Sequence, residues 1–594
     1  MKTIKVILAT LCTVISISNT AFSQQSDQLT VSESIRTNQL GFYPNAAKIA
    51  VITKTGFSKF SILTADKKQP VFTGNLKESG SPGLNGKKNL IADFSAYNKP
   101  GKYLLYVEGL GTSFPIQIAT AAYNKAAVAS VKAYYFQRAS TALPEQFAGK
   151  WHRIAGHPDD KVLIHPSAET EKRPAGTVIS ASKGWYDAGD YNKYIVNSGV
   201  TMGTMLSLCE DFPEYVKTLN TKIPESRNAV PDVLDELVWN LRWMLAMQDP
   251  DDGGVYNKLT NANFDGMVMP NVTKAPRYVV QKGTAATLDF AAVTAQASRL
   301  LKGYKKDLPG LADSCLSASI KAWEWAQKNP EMAYEQNAIN NKFTPKVVTG
   351  GYGDRSFGDE FIWAAAELYI TTGNNSYYKA LNMLPDERMP LPSWGNVRLL
   401  GYYSLIRNET KLSGTAKNDI RTLKTRVIAM ADNMIAGVDE TAYKTVMGKN
   451  VRDFGWGSNS NAGNQGVALI QAYKITGDKK YLNYAMSNLD YLLGRNATGY
   501  SYITGVGFKT PMHPHHRPSS ADGIADPVPG LLVGGPNPGQ QDGVKLTSTV
   551  PDEAYVDDER SYAANEIAIN WNAPLVYLTN AVEALQVKAG YSNK

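Results

Sequence analysis

The hydrophobic period changes once along this chain, near residue 120, and that change constrains the fold more than any other feature. Before it, short apolar and partly alternating runs recur at Lys48–Ile52, Lys59–Leu63, Leu90–Phe94, Tyr103–Val107 and Phe114–Ile118. Clusters of Gly, Pro, Asn and Ser separate them. Runs of this length between turn residues predict strands, and their spacing over 31–118 predicts a β-sandwich of about 90 residues. No cluster of chemically active residues falls there, so the segment reads as a packing or spacing module. After residue 120, apolar residues recur at i, i+3 and i+4. The pattern predicts helices over Ala121–Arg138, Tyr194–Asp211, Val230–Met247, Ala285–Leu301, Ala312–Gln327, Asp359–Thr371, Trp394–Ile406, Ile420–Ile435, Gln465–Tyr473, Lys480–Leu493 and Tyr562–Leu585. A ring of paired helices accommodates that number better than a four-helix bundle does. Periodicity alone does not separate a closed α/α barrel from an open solenoid, but no fixed-length repeat is present, which argues against the usual solenoids.

The 594 residues would set a prior of about four domains at about 150 residues each. With 43% hydrophobic and 20% charged residues, the chain is neither disordered, collagen-like nor a multi-span membrane protein. A net charge of +8 is small for this length, and no basic block of five or six residues occurs, so nucleic acid is not expected as a partner. Residues 1–23 read as a signal peptide. Lys2 and Lys5 precede an apolar run from Val6 to Ile17, and Ala21-Phe22-Ser23 supplies the small residues of a cleavage site. That run is too short to span a bilayer, and no transmembrane segment is expected elsewhere. The expectation is an exported protein, whether periplasmic, cell-surface or extracellular. Cys12 lies inside the apolar run. Cys209 and Cys315 fall in helical apolar patterns and are expected as buried free thiols.

Three segments carry residues fit for chemistry. Gly184-Trp185-Tyr186-Asp187-Ala188-Gly189-Asp190-Tyr191 places two carboxylates three residues apart around small residues. If Asp190 begins the following helix, the dipole there favours its ionised form, which a general base for water requires. An N-cap and a turn Asp explain the same residues equally well. In the second segment, Glu566 sits among Ala, Ile and Trp571 on what reads as a buried helix. Burial would raise its pKa and make it a proton donor, whereas a salt bridge to Arg560 is the bland alternative. The third is Pro514-His515-His516-Arg517-Pro518, inside the long Gly- and Pro-rich stretch from Gly505 to Gly543. Irregular stretches of that length are usually functional or disordered. The six histidines form two groups, His152, His157 and His165 and then His513, His515 and His516. Neither group has a zinc-type spacing or a Cys beside it, so polar donors to a ligand are favoured over metal. Aromatic residues near these segments suit sugar rings: Trp185, Tyr191 and Tyr194 around the paired acids, Tyr555, Tyr562 and Trp571 around Glu566, and Trp456 among small polar residues.

Together these segments resemble glycoside hydrolase family 9, the endoglucanase or cellulase family. Asp187-Ala188-Gly189-Asp190 is similar to its DAGD segment. Ser501 through Arg517, with Gly507, Lys509, Pro514, His515 and Arg517, is similar to its histidine signature. Tyr555 through Ala573, with Asp557, Tyr562, Glu566, Ala568 and Asn572, is similar to its acidic signature. Arg36 through Phe42 and Ala92-Asp93-Phe94-Ser95 resemble the immunoglobulin-like domain that precedes the catalytic domain in many members. The resemblance implies a mainly α protein with a signal peptide at 1–23, an immunoglobulin-like β-sandwich at 31–119 and an (α/α)6 barrel at 120–590. It implies a secreted inverting endo-β-1,4-glucanase in which Asp190 is the base, Asp187 its partner on the attacking water and Glu566 the acid. Such a site separates its carboxyl groups widely enough for a water molecule. By the same resemblance His515, His516, Arg517, Tyr562 and Trp456 bind substrate. The implied partner is a β-glucan polysaccharide or oligosaccharide, either cellulose-like or soluble, including mixed-linkage glucan and xyloglucan, and the protein is expected to be a monomer. No cofactor is required. A structural calcium ion is compatible, with Asp359 and Glu360 as conceivable ligands, but no metal site is assigned. Some relatives hold zinc on Cys and His ahead of the acids, and the lack of Cys there predicts no such zinc. Two alternatives share these motifs: an exo-acting β-glucosidase or glucosaminidase, and a catalytically silent carbohydrate-binding protein.

Overall fold

The computed structural model describes residues 29–412 and 414–593. The expected signal peptide at 1–23 lies outside the described residues. Nine strands make up the first unit: β1 Ile35–Arg36, β2 Ile49–Ile52, β3 Lys59–Thr64, β4 Pro70–Asn75, β5 Lys77–Glu78, β6 Leu90–Asp93, β7 Gly101–Val107, β8 Gly111–Thr112 and β9 Ile116–Ile118. They form two antiparallel sheets, ordered β1-β2-β6-β5 and β4-β3-β7-β8, with β9 also on β7. Alternation places Phe60, Ile62, Leu105 and Val107 inward against Ile52, Leu90 and Ala92, so the sandwich has its own core. Sequence patterning finds the long strands. It misses β1, β5 and β8 because two residues carry no period, and β4 because its residues are exposed or only half-buried.

Among the described residues, twelve of the helices that follow alternate between two rings. They are α1 Asn124–Phe136, α2 Ile195–Asp211, α3 Asp232–Ala246, α4 Thr284–Leu301, α5 Leu311–Lys328, α6 Gly358–Thr372, α7 Asn375–Lys379, α8 Arg398–Arg407, α9 Gly414–Ile435, α10 Ser458–Thr476, α11 Lys479–Leu492 and α12 Ile569–Leu585. The even-numbered helices are buried on nearly every face. Helices surrounded in this way need small residues for close approach. Helix α4 supplies them with its run of Ala, Thr and Ser, and α2 with Gly199 and Gly203. Helix α2 packs on α12 and α4, α4 on α6, α6 on α8 and α10 on α12, while α9 joins α8 to α10. With α9 bridging the last gap from its outer position, the helices close into an (α/α)6 barrel. The odd-numbered helices lie outside it. Cys209 and Cys315 are buried free thiols, each pushed up to about 12 by burial. Among the described residues no helix is long and apolar enough to cross a membrane.

A small sheet caps one end of the barrel. Its strands are β10 Val162–Ile164, β11 Val178–Ile179, β12 Lys193–Tyr194, β13 Lys258–Asn261 and β14 Arg277–Val279, in the order β11-β10-β14-β13-β12. Helical periodicity hides these strands, which are two to four residues long and lie between helices.

The sandwich is tied to the barrel through buried polar contacts. Asn38 donates to Asp490 at 2.7 Å, and the Tyr43 hydroxyl donates to Glu583 at 2.6 Å. Gln39 Oε1 accepts the backbone N–H groups of Phe508 and Lys509 at 2.7 and 2.8 Å, while its Nε2 donates to Gly499 O. One side chain thus closes the start of the long loop that leads to His515. Gln39→Ala leaves these groups without their partner and is expected to lower stability by about 1–3 kcal/mol. A fall in the urea midpoint would show this, and an unchanged midpoint would mean that the loop finds other partners.

Candidate active site

Three segments distant in sequence meet at the capped end of the barrel through their backbones. The first is the turn carrying Asp187 and Asp190, closed by Asp187 N–H donating to Asn192 O at 3.0 Å. The second is the loop at His515–Arg517. The third is the strand-like link Glu566–Ala568. Ala188 pairs with Ala568, and His515 pairs with Glu566. Ile569 N–H donates to Asp187 O at 2.8 Å, and Arg517 N–H to Gly189 O at 3.1 Å. Gly189 is dictated by this braid, since a Cβ there would stand 2.1 Å from His515 O.

Two local expectations are corrected by this geometry. Asp190 does not begin a helix: α2 starts at Ile195, and Tyr194 before it is extended. The helix dipole therefore does not set its ionisation. Glu566 is not on a helix either. A short helical turn ends at Asn565, Glu566 is extended at φ −74° and ψ 157°, and α12 starts at Ile569. The apolar period runs through this break because the link is buried as the helices are. Arg560, the alternative partner for Glu566, pairs with Asp558 instead.

Each carboxylate has a different surrounding. Asp187 accepts both of its contacts with Asn197 Nδ2 at 2.9 and 3.0 Å, and the Tyr352 hydroxyl at 3.2 Å. Burial and then the charge of Asp190 raise its pKa well above the usual carboxylate range. Asp190 accepts on Oδ2 from Asn192 at 2.5 Å and from the Tyr194 hydroxyl at 3.3 Å. Burial raises its pKa too, but Arg517, these two hydrogen bonds and Arg277 oppose the rise. Its Oδ1 is buried and accepts no protein hydrogen bond. Glu566 accepts one N–H, from Gly189 at 3.3 Å, and is raised well above its usual range by burial and by Asp190. A hydrogen-bonded, cation-flanked acid beside a poorly solvated one can run base and acid chemistry together.

The remaining predicted residues divide by exposure. His515 donates through Nδ1 to Glu559 O at 2.6 Å, and its ring lies 6.1 Å from that of Tyr562. Tyr562, 37% exposed, lies 5.6 Å from the ring of Trp456, which is 50% exposed. These two form an open aromatic edge. Arg517 bonds Gly189 O through Nη1 and Asp265 O through Nε, and its guanidinium lies 5.8 Å from the Phe264 ring. His516 is a correction. It is 1% exposed, bonded to Gln137 and Ser519, and held down to about 3 by burial, so it braces the loop and does not face a ligand. Trp185, Tyr191, Tyr194 and Tyr555 are likewise interior: Trp185 donates to Glu236, and Tyr191 to Val268 O. Sequence reading misses Asn192, Asn197, Tyr352 and Gln137, whose Nε2 donates to Ala188 O at 3.0 Å. Only Tyr352 had a local signal, its place in Gly350-Gly351-Tyr352-Gly353. Its φ of 45° is a left-handed conformation that a bulky residue rarely adopts.

Asp359 and Glu360 begin α6 beside Asp289, and the charge of Asp359 raises both Glu360 and Asp289 after burial. Both Asp289 oxygens and Glu360 Oε2 accept no hydrogen bond, which suits a cation by charge. Among the described residues, however, no group of three or more His, Cys, Asp or Glu is placed to hold a metal ion. His157 and His165 are buried apart from one another, against Tyr186 and Pro345 O respectively.

The barrel and its paired acids define a glycoside-cleaving class, and comparison with known proteins gives the family. Residues 123–579 match the model of glycosyl hydrolase family 9, and residues 30–112 match that of the cellulase N-terminal Ig-like domain. The chain belongs to glycoside hydrolase family 9 and is a glycosidase with an immunoglobulin-like N-terminal domain. It is 48% identical over 557 residues, 94% of each chain, to a protein named xyloglucan-specific endo-β-1,4-glucanase from Bacteroides ovatus. It is 34% identical to endoglucanase D of Acetivibrio thermocellus, covering 91% of this chain and 82% of that one. A solved Bacteroides ovatus family 9 structure superposes with a TM-score of 0.89 at 47% identity, covering 93% of this chain and 99% of that one.

The braid carries its own test. Gly189→Ala must push the His515 backbone away from Asp190 and Glu566. A shift near 1 Å costs about 100-fold in rate. Glycoside hydrolysis is expected to fall at least that far in protein that keeps its helical circular dichroism, and wild-type turnover would contradict the contact.

Proposed function

We propose that this protein is an exported, inverting endo-β-1,4-glucanase acting on a soluble, branched β-glucan of the xyloglucan kind. One observation carries the chemistry: Asp190 and Glu566 are brought together with both raised by burial, while Arg517, Arg277 and two hydrogen bonds oppose that rise at Asp190. In this reading Glu566 holds its proton until the glycosidic oxygen leaves, and gives it to that oxygen as the bond to the anomeric carbon breaks. Asp190 takes a proton from the water that attacks the same carbon from the other face. Asp187, fixed by Asn197 and Tyr352, orients that water. His515 and Arg517 grip the sugar beside the scissile bond, and Trp456 with Tyr562 carries the chain onward. The choice of a branched glucan draws support from the named activity of the Bacteroides ovatus relative. It also draws support from the exposed apolar residues Phe264, Met267 and Val272 on the loop next to Arg517, which offer area beyond a bare glucan chain.

Glu566→Gln and Asp190→Asn are each expected to lower hydrolysis by about 10²–10⁴-fold with the fold intact. Near-normal turnover in either would overturn the assignment. The kcat/KM profile should be bell-shaped, lost at low pH as Asp190 is protonated and at high pH as Glu566 loses its proton. Glu566→Gln should remove the alkaline limb on an activated aryl glycoside, whose leaving group needs no acid. NMR of early product should show the α-anomer, and a β-anomer would contradict inversion. Products from xyloglucan, mixed-linkage glucan, carboxymethylcellulose and chito-oligosaccharides separate endo from exo action, and a preference for unbranched chains would refute the branched substrate.

A structural calcium ion at Asp359 and Glu360 completes the proposal; Glu360 Oε2 accepts no hydrogen bond, while Asp359 Oδ2 accepts from Val397 N–H at 2.8 Å. Calcium should raise the melting temperature above that in EDTA, and identical melting would remove it.

A further inference from the structure

Lys258 is a buried ammonium with no part in the reaction as described. It lies on β13 directly across from Tyr194 on β12, and its side chain is closed off from solvent. Nζ donates to Gln336 Oε1 at 2.6 Å, Thr349 Oγ1 at 3.0 Å and Gly350 O at 2.7 Å. No carboxylate contacts it. A buried cation without a counter-ion is costly and is rarely kept for packing alone.

Two relays lead forward from it. In the first, Gln336 Nε2 donates to Thr349 O at 2.6 Å. The N–H of that same peptide unit, on Gly350, donates to the Tyr194 hydroxyl at 3.1 Å, and the hydroxyl donates to Asp190 Oδ2 at 3.3 Å. In the second, Thr349 and Thr260 share a hydroxyl contact of 2.6 Å. Thr260 Oγ1 reaches Asn192 Oδ1 at 2.9 Å, and Asn192 Nδ2 donates to Asp190 Oδ2 at 2.5 Å. In both relays every group can accept from the lysine side and donate toward the aspartate. Chains oriented in one direction polarise one another.

We infer that Lys258 is a positioning residue for the catalytic base: through these two relays it fixes Asp190 by Oδ2, favours its ionised form and leaves Oδ1 as the atom that takes the proton from water. The inference rests on Asp190 being the base. Arg517, Arg277, Asp187, Glu566, His515 and Tyr194 also face Asp190, so Lys258 is one of several charges acting there. Tyr194 and Tyr334 flank Lys258 itself, each ring centroid 5.5 Å from Nζ. Burial holds Lys258 down to about 7, against the pull of Asp190. Lys258 is therefore mostly charged on the acidic side of neutrality, where the base must ionise.

The sign is fixed. Removing a cation that favours the charged carboxylate raises the pKa of Asp190, so the acid limb of the kcat/KM profile moves to higher pH. In Lys258→Met the shift is expected to be about one pH unit upward, with KM unchanged. Thr260→Val and Tyr194→Phe each keep the ammonium and cut one relay, and should shift the limb in the same direction by less. An unshifted acid limb in folded Lys258→Met overturns the inference, as does a uniform fall in rate at every pH. If Lys258→Met does not fold, unshifted limbs in both relay variants overturn it. Asp190→Asn separates the two claims: turnover in that variant refutes the base itself. Its inactivity beside an unshifted Lys258→Met refutes only the role of Lys258.

Discussion

The site depends on a backbone contact, the approach of Gly189 to the peptide at His515. Everything chemical is placed from there. Gly189 N–H reaches Glu566, and its carbonyl accepts two donors from Arg517, so one residue without a side chain fixes the Glu566 carboxyl, the guanidinium and the turn carrying Asp190. Main-chain contacts are suited to this task because they have no rotamers to lose. They also make the three segments depend on one another, since none lies within a long helix or strand.

The barrel makes the braid affordable. Inner helices buried on all faces form a rigid wall, and α2 and α12 enter the site within a few residues of Asp190 and Glu566. Two charged groups beside a third carboxyl, all taken out of water, oppose folding. Arg517 and Arg277 lower that opposition at Asp190 but less at Glu566 and Asp187, which keep their raised pKa values. The same imbalance that weakens the fold is what sets Asp190 apart from Glu566 and Asp187.

Legibility in the sequence follows from the same physics. The inner helices could be read because burial repeats with their turn, whereas the acids, equally explicable locally as caps, turns or ion pairs, stood out through the resemblance of their segments to the family motifs. The break at Glu566 could not, because a buried extended link keeps its apolar residues and gives the period nothing to lose. The false helix cap at Asp190 arose from treating the nearest helix as its support, when support comes from β12 and β13, too short to show a period. Aromatic residues misled for a similar reason. Trp185 and Trp456 look alike as letters, yet one fills the core against Tyr134 and the other stands exposed beside Tyr562. His516 is the neighbour of His515, yet its ring is buried on Gln137 and Ser519.

The immunoglobulin-like sandwich gains a role from this view. It contributes no side chain to the carboxyl cluster. Gln39, however, satisfies two N–H groups of the loop only a few residues before His515, and the ring of Phe114 stacks on that of Phe508 at 5.4 Å. A loop without helix or sheet must find partners for its backbone elsewhere, and water would leave it mobile. The sandwich offers those partners from a rigid surface. The barrel thus holds one side of the braid and the sandwich the other, and the histidine loop is ordered because it is clamped between them.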